Sequence, residues 1–471
     1  MNRRKFFRNG SLFTLGTTLL NPISGSANTF SQAIGNKNKK AKNIIIVVSD
    51  GMSIGTLNMT DLYLSRKTGN GTNWLQLYKD NRVKRSLMDM ASASSIVTDS
   101  AAASSSWGGG VRINNGALNV SENGEEHLPI WQKFKAVGKK AGCVTTVPIT
   151  HATPAGFCIN SKSRNEQETI AEKYLDLKFD VMMGGGNKYF SSESRKDKKD
   201  MYKAFTANGF EVVQSKKEMF NATTDKPIIG VFDEEGLPYS IDRENDKELH
   251  EKIPTLAEMT KKAIDSMKDH AEGFVLQVEA GKVDWAAHGN DISGLIYDQV
   301  AHDEAVKVAM DFAEKDEETL VIITTDHGNA NPGVIYGKYA NKNFDTIQNY
   351  KHTNDWVLNG VTKTTSAATL KERINYANNI SITNEEAKLL LNYYTDLSSE
   401  EGLYNPKHLP FNALASIQKQ YNSVGWISMQ HSADYVELAM YGPGSNLLQP
   451  FIKNTDLHYL MLEAAEVENK F

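Results

Sequence analysis

The residues best suited to chemistry in this sequence are carboxylates and imidazoles that follow short apolar runs. Asp50 follows Asn43-Ile44-Ile45-Ile46-Val47-Val48-Ser49, and His151 follows the run Gly142 to Pro148. Glu279 closes Phe274 to Val278, and Asp326-His327 close Leu320 to Thr325. Oxygen and nitrogen donors without thiolates suit zinc and magnesium. Asp284 and His288 stand four residues apart, a spacing that turns both side chains toward one ion on a helical turn. Each has a plain structural reading when taken singly, Asp50 as a helix cap and Asp326-His327 as a satisfied loop pair. Their recurrence at one strand end after another points instead to a metal centre.

A nucleophile is offered by Val97-Thr98-Asp99-Ser100-Ala101-Ala102-Ala103-Ser104. The alanines favour a helix that Gly108-Gly109-Gly110 would end, so Ser100 falls near a helix N-terminus, where free N–H groups and the helix dipole attract phosphate. Read alone, Asp99 or Ser100 is an N-cap. Gly184-Gly185-Gly186 and Gly108-Gly109-Gly110 lack the Lys-Ser/Thr of a P-loop and read as turns. Asp298, His302 and Asp303 fall on an expected helix and read as surface or supporting residues.

The apolar runs ending in these polar residues read as buried parallel strands. Helical patterns lie between them at Ile130 to Lys140, Leu256 to Ala271 and Ile296 to Lys315. The expectation is an α/β three-layer sandwich around a large, mostly parallel central sheet, with ligands beyond the carboxyl ends of the strands. Ser191 to Glu251, with its solvated charge run Lys196 to Asp200, and Gly333 to Asn422, with an amphipathic helix at about Glu385 to Leu397, interrupt the pattern. Both are expected to be insertions into one catalytic domain spanning 43–471, the second forming a crown or clasp.

The chain has 471 residues, 40% hydrophobic, with a net charge of −5. No uniform basic surface is implied, which counts against nucleic acid as a partner. At the N-terminus, Arg3-Arg4 precede an apolar stretch, Ser11 to Leu20, and the small residues Ser24-Gly25-Ser26-Ala27. This layout reads as an export signal, 1–27, of the twin-arginine kind, followed by a linker, 28–42; the plainer alternative is a basic tail. The apolar stretch is too short to span a bilayer, so no membrane association is expected once the signal is cleaved. Cys143 and Cys158 are the only two cysteines, and their spacing leaves open a disulfide or two buried thiols.

Asp50-Gly51-Met52-Ser53, Thr98-Asp99-Ser100-Ala101-Ala102, His151-Ala152-Thr153-Pro154-Ala155, Gln277-Val278-Glu279, Asp284 with His288, Thr325-Asp326-His327 and His431 together resemble alkaline phosphatase. The motifs stand in that family's order from about Asn43 to Pro450. The resemblance implies a first zinc on Asp284, His288 and His431, and a second on Asp50, Asp326 and His327 beside the nucleophile Ser100. It implies a third ion, magnesium or a third zinc, on Asp50, Thr153 and Glu279. Arg164, eleven residues after Thr153, fits the phosphate-clamping arginine, with Asp99 to orient it. The implied activity is hydrolysis of small phosphate monoesters through a phosphoserine, by a homodimeric periplasmic or extracellular enzyme.

His151 and Trp285 stand where one well-known bacterial version has Asp and Lys. An imidazole there shifts preference at the third site toward zinc, and losing the lysine should weaken binding of the product phosphate. The competing readings are a phosphodiesterase of the same superfamily and a non-catalytic phosphate-binding protein. A sulfatase is excluded, because Ser100-Ala101-Ala102-Ala103-Ser104 lacks the Pro and Arg that direct formylglycine formation.

Overall fold

Strand β1 (Asn43–Ser49) is buried at every position, so both of its faces meet apolar layers. Ile45 and Val47 enter one core with Leu276, Val278, Val321 and Ile323. Ile44, Ile46 and Val48 enter a second with Val275, Leu320 and Ile322. The two-residue period of a strand produces this alternation, and the result is three layers, with helices on either side of one sheet. The computed structural model describes residues 40–395 and 408–469. The expected export signal and residues 28–39 of the linker lie outside the described residues.

The sheet continues through β2 (Lys84–Asp89), β3 (Lys140–Pro148), β4 (Val181–Gly185), β5 (Glu211–Val213), β6 (Ile228–Val231), β7 (Phe274–Ala280), β8 (Thr319–Thr324), β9 (Tyr435–Tyr441) and β10 (Phe451–Lys453). Its ten strands run in the order β10-β2-β9-β8-β1-β7-β3-β4-β6-β5. Only β9 is antiparallel to its neighbours. In register, Val48 of β1 lies beside Glu279 of β7 and Thr324 of β8, and Thr145 of β3 lies on the other side of Glu279. The carboxyl ends of β8, β1, β7 and β3 therefore finish side by side. That edge receives Asp326-His327, Asp50, Glu279 and His151.

The segment 191–251, expected as an insertion, supplies β5 and β6 of the central sheet. Several other details differ from expectation. The helix expected at Ile130 to Lys140 ends at Ala136, since Gly138 turns the chain at φ +86° and Lys140 already opens β3. The helix expected from Ile296 starts earlier, as Ile292–Asp316, with Asp291 capping it by accepting from Gly294 N. Asp298, His302 and Asp303 are not on the surface; all three are buried under neighbouring helices. Asp298 accepts from Ser240 N, and Asp303 accepts from Asn73 N and Trp74 N at the start of the helix Asn73–Lys79. Cys143 and Cys158 are buried free thiols, and Cys158 Sγ donates to the Pro154 carbonyl.

Residues 333–422 carry helices including Asn354–Asn359, Ala367–Asn378, Asn384–Asn392 and Phe411–Asn422. These pack around an apolar cluster of their own, with Leu358, Leu370, Ile374, Leu390 and Leu414 at its centre. Buried carboxylates of the sheet domain fasten it down. Asp242 accepts from Thr353 N and Thr353 Oγ1, and Asp291 accepts from Asn354 N and Asp355 N.

The helix Ser100–Gly109 lies directly against the helix Ala152–Cys158, and Gly156 permits the approach. A Cβ on Gly156 would sit 2.1 Å from Ser104 Oγ and 2.7 Å from Ser104 Cβ. Gly156→Ala is expected to cost about 1–3 kcal/mol of stability through overpacking, and to lower activity by moving Ser100 away from Thr153. Thermal denaturation with parallel rate measurements checks this; wild-type stability in the variant would show that the two helices have room to separate.

Candidate active site

Asp50 is delivered by a turn that only glycine enters comfortably. Gly51 has φ +66°, and a Cβ there would lie 2.3 Å from Asp284 Oδ1. Gly51 N donates to Asp326 Oδ1 at 2.9 Å and Met52 N to Thr325 Oγ1 at 3.0 Å, which ties the ends of β1 and β8 together. Asp284 and His288 come from the helix Lys282–His288 that follows β7. His431 comes from a two-residue strand paired with Gly328-Asn329, immediately after His327.

Donor atoms gather in three groups, each within 4.8 Å of one another: Asp284, His327 and His431; Asp50, Asp326 and His327; Asp50, His151 and Glu279. His288 joins the first, with Nε2 3.1 Å from His431 Nε2 and 3.4 Å from Asp284 Oδ2. Thr153 Oγ1 donates to Asp50 Oδ2 at 3.3 Å, at the edge of the third. All eight residues expected to bind metal thus converge, and His151 stands among the third group rather than behind it.

These donors fit divalent cations. Asp50 Oδ1, Glu279 Oε1 and Asp326 Oδ2 are buried without a hydrogen-bond partner. Burial pushes Asp326 and Glu279 up to about 7 and Asp50 well above the usual carboxylate range. Burial also drives His327 well below its ordinary value, and burial with the Arg164 charge brings His151 down to about 3. For Asp284, burial acts upward, but His288, His431 and His327 more than reverse it. Neutral His151 and His327 beside Asp50, Glu279 and Asp326, whose burial opposes their charge, form a donor set completed by bound positive charge.

Ser100 opens its helix, with Asp99 as the cap accepting from Ala102 N at 2.9 Å. Ser100 Oγ lies 3.2 Å from His327 Nε2, which is itself 3.2 Å from Asp326 Oδ2. Arg164 reaches the same mouth. Its Nη1 pairs with Asp99 Oδ2 at 3.0 Å, and its Nη2 donates to His151 Nε2 at 3.1 Å. Trp285 meets His151 edge-on, ring centroids 6.3 Å apart. The Ser100 hydroxyl, the Arg164 guanidinium and the clustered carboxylates and imidazoles lie together, an arrangement suited to phosphoryl transfer.

Sequence reasoning missed the residues that orient these groups. Asn329 Nδ2 donates to Asp284 Oδ1 at 2.7 Å, Thr145 Oγ1 donates to Glu279 Oε2, and Gln277 Nε2 donates to the Thr153 carbonyl at 3.3 Å. Their signal lies in strand register and loop pairing, which the linear sequence does not display.

The carboxylate shifts give a signed expectation. In the unfolded chain these carboxylates ionise near about pH 4, whereas folded Glu279 and Asp326 hold protons to about 7. In chelated protein the folded state therefore binds more protons than the unfolded one, and these groups' contribution to stability falls as pH rises through 7. Above about pH 6.5 the buried histidines are neutral in both states and no longer oppose the trend. Stabilisation by added zinc should grow from about pH 6.5 to about pH 8. Melting curves of chelated and reloaded protein test this; a gain that is flat or shrinks with pH would contradict it.

Residues 41–467 match the family model described as "Alkaline phosphatase". The chain is 31% identical over 439 residues to alkaline phosphatase 3 of Bacillus subtilis, covering 91% of this chain and 90% of that protein. The crystal structure of Thermus thermophilus alkaline phosphatase superposes with a TM-score of 0.84 at 30% identity, covering 96% of each chain. A cold-active alkaline phosphatase from a psychrophilic Shewanella gives 0.75 at 26% identity, covering 90% of this chain and 99% of that one. Extending over the sheet and the donor groups alike, this similarity shows that the chain belongs to the alkaline phosphatase family and is a metal-dependent hydrolase of phosphate monoesters.

Proposed function

We propose that hydrolysis proceeds through a phosphoserine at Ser100. The observation that carries this reading is Ser100 Oγ at the first turn of a helix, 3.2 Å from His327 Nε2 within the donor groups. Ser100 Oγ attacks phosphorus, the bond from phosphorus to the ester oxygen breaks, and the alcohol departs. Water then cleaves the phosphoserine, restoring Ser100 and releasing inorganic phosphate. The helix N–H groups and the planar fork of Arg164 receive the non-bridging oxygens, with Asp99 holding Arg164 in orientation.

The ions proposed are two zinc ions, one on Asp284, His288 and His431 and one on Asp50, Asp326 and His327. A magnesium or third zinc is proposed on Asp50, Thr153 and Glu279 with His151 beside them. Bound there, they supply Lewis acidity for the attacking and departing oxygens. His327, kept neutral by burial, serves as a donor beside Ser100 rather than as a competing charge.

A homodimer and export complete the proposal. Exposed Ile54, Ile335, Tyr336 and Ile427 lie about the small ribbon of 333–334 and 424–425, an apolar face suited to a second copy. Sedimentation of Tyr336→Glu with Ile427→Glu should show monomer, and an unchanged dimer would remove this face from the contact. Arg3 and Arg4 support the twin-arginine route to the periplasm or exterior. Among the described residues, no helix is long and apolar enough to cross a membrane. Arg3→Lys with Arg4→Lys should retain the enzyme in the cytoplasm, and undiminished exported activity would reject that route.

The mechanism is tested by Ser100→Ala, which should lower monoester turnover by orders of magnitude while elemental analysis finds the metal content unchanged. Near-wild-type turnover would remove Ser100 as nucleophile. Assaying a diester alongside distinguishes a phosphodiesterase, and absent turnover of both by metal-replete wild type would favour a phosphate-binding protein.

A further inference from the structure

Lys282 is 1% exposed and beside the site, yet has no part in the chemistry above. It opens the helix that carries Asp284, Trp285 and His288, and its backbone N–H donates to Thr146 Oγ1 at 3.0 Å. Its ammonium lies 3.7 Å from the Tyr239 ring centroid and 4.6 Å from that of Trp285. Burial disfavours its charged form, and Asp355, Asp298, Asp242 and Asp233 act in the opposite sense. A desolvated ammonium between two aromatic faces is held firmly when carboxylates offset its burial.

The surroundings of Lys282 are themselves fixed. Asp355 belongs to the 333–422 segment, where Asp291 Oδ2 accepts from Asn354 N at 2.6 Å and from Asp355 N at 3.3 Å. The Trp285 indole packs against the backbone at Gly236, where an added Cβ would meet it at 3.0 Å. The next residue, Leu237, donates its N–H to the Thr146 carbonyl at 2.8 Å. Beyond the indole come the edge of His151 and then Arg164 Nη2, 3.1 Å from His151 Nε2. A continuous line of contacts thus joins Lys282 to the guanidinium at the mouth of the site.

We propose that Lys282 is a positioning residue for the phosphate clamp: held between the rings of Tyr239 and Trp285, it fixes Trp285 against His151 and so sets the orientation of Arg164. The proposal rests on the reading of Arg164 as the clamp. Loss of the ammonium frees the indole to turn, His151 loses its edge contact, and Arg164 loses the acceptor that aligns its second nitrogen.

The test compares Lys282→Met, which keeps the stem, with Lys282→Arg, which keeps the charge, in metal-replete full chain. Inhibition by inorganic phosphate is measured with kcat/KM for a monoester and a diester. In Lys282→Met the phosphate Ki should rise about tenfold, the scale of one desolvated cation–π contact. Monoester kcat/KM should fall by a similar factor and diester kcat/KM less, because a diester presents fewer oxygens to the fork. Lys282→Arg should stay near wild type. In a Trp285→Ala background, Lys282→Met should add nothing further. An unchanged Ki in folded Lys282→Met, equal losses on both substrates, failure of Lys282→Arg to rescue, or an additive effect beside Trp285→Ala would each overturn the proposal. Should Lys282→Met not fold, Asp355→Asn replaces it, with a rise in Ki of about threefold expected for one lost charge partner and no rise overturning it. Arg164→Ala separates the two readings. Unmoved Ki there removes the clamp, whereas raised Ki there with unmoved Ki in Lys282→Met removes only the role of Lys282.

Discussion

Asp50, Glu279, Asp284 and Asp326 are buried together, each at most 5% exposed, at the carboxyl edge of one sheet. Four carboxylates cannot all ionise there unaided, because burial removes water and each opposes its neighbours' charge. Hydrogen bonds satisfy part of the demand, from Gly51 N to Asp326, from Asn329 to Asp284 and from Thr145 to Glu279. Asp50 Oδ1, Glu279 Oε1 and Asp326 Oδ2 of this cluster remain without a hydrogen-bond partner. The fold imposes this by ending β8, β1, β7 and β3 side by side, and the imidazoles of His327, His288 and His431 complete a donor set whose natural counterpart is divalent metal.

The placement of Ser100, the proposed nucleophile, follows from the same constraint. Ser100 is carried by a helix whose position against Ala152–Cys158 is set by contact at Gly156, so the serine and the donor groups share one backbone framework. Arg164 is attached to that framework at both ends of its fork, by Asp99 and by His151. His151 is therefore a neighbour both of the metal donors and of the guanidinium. The 333–422 segment has its own apolar core and is anchored on Asp242 and Asp291.

Much of this was legible in the linear sequence because the central strands are buried on both faces. Ile44 to Val48 and Leu320 to Ile323 are apolar without interruption, and the polar residues that follow each run lie at the sheet edge where ligands collect. Ser100 was legible through its alanine-rich helix. β5 and β6 were not, since strands of three and four residues are too short to show a period amid charged sequence. Charged residues on a helix read as a solvated face, yet Asp298 and Asp303 are turned inward to accept from the backbone of Ser240, Asn73 and Trp74. The pairing of Thr145 with Glu279 is a matter of register between β3 and β7, which neither strand declares by itself.

The central claim is that bound cations supply the positive charge this cluster lacks, and anomalous diffraction from crystals grown with zinc and magnesium tests it most directly. The account predicts density for ions in three places: among Asp284, His288 and His431; among Asp50, Asp326 and His327; and beside Asp50, Thr153 and Glu279. The zinc-edge signal should mark at least the first two. Well-ordered crystals showing these side chains hydrogen-bonded to one another, with no anomalous peak between them, would contradict it.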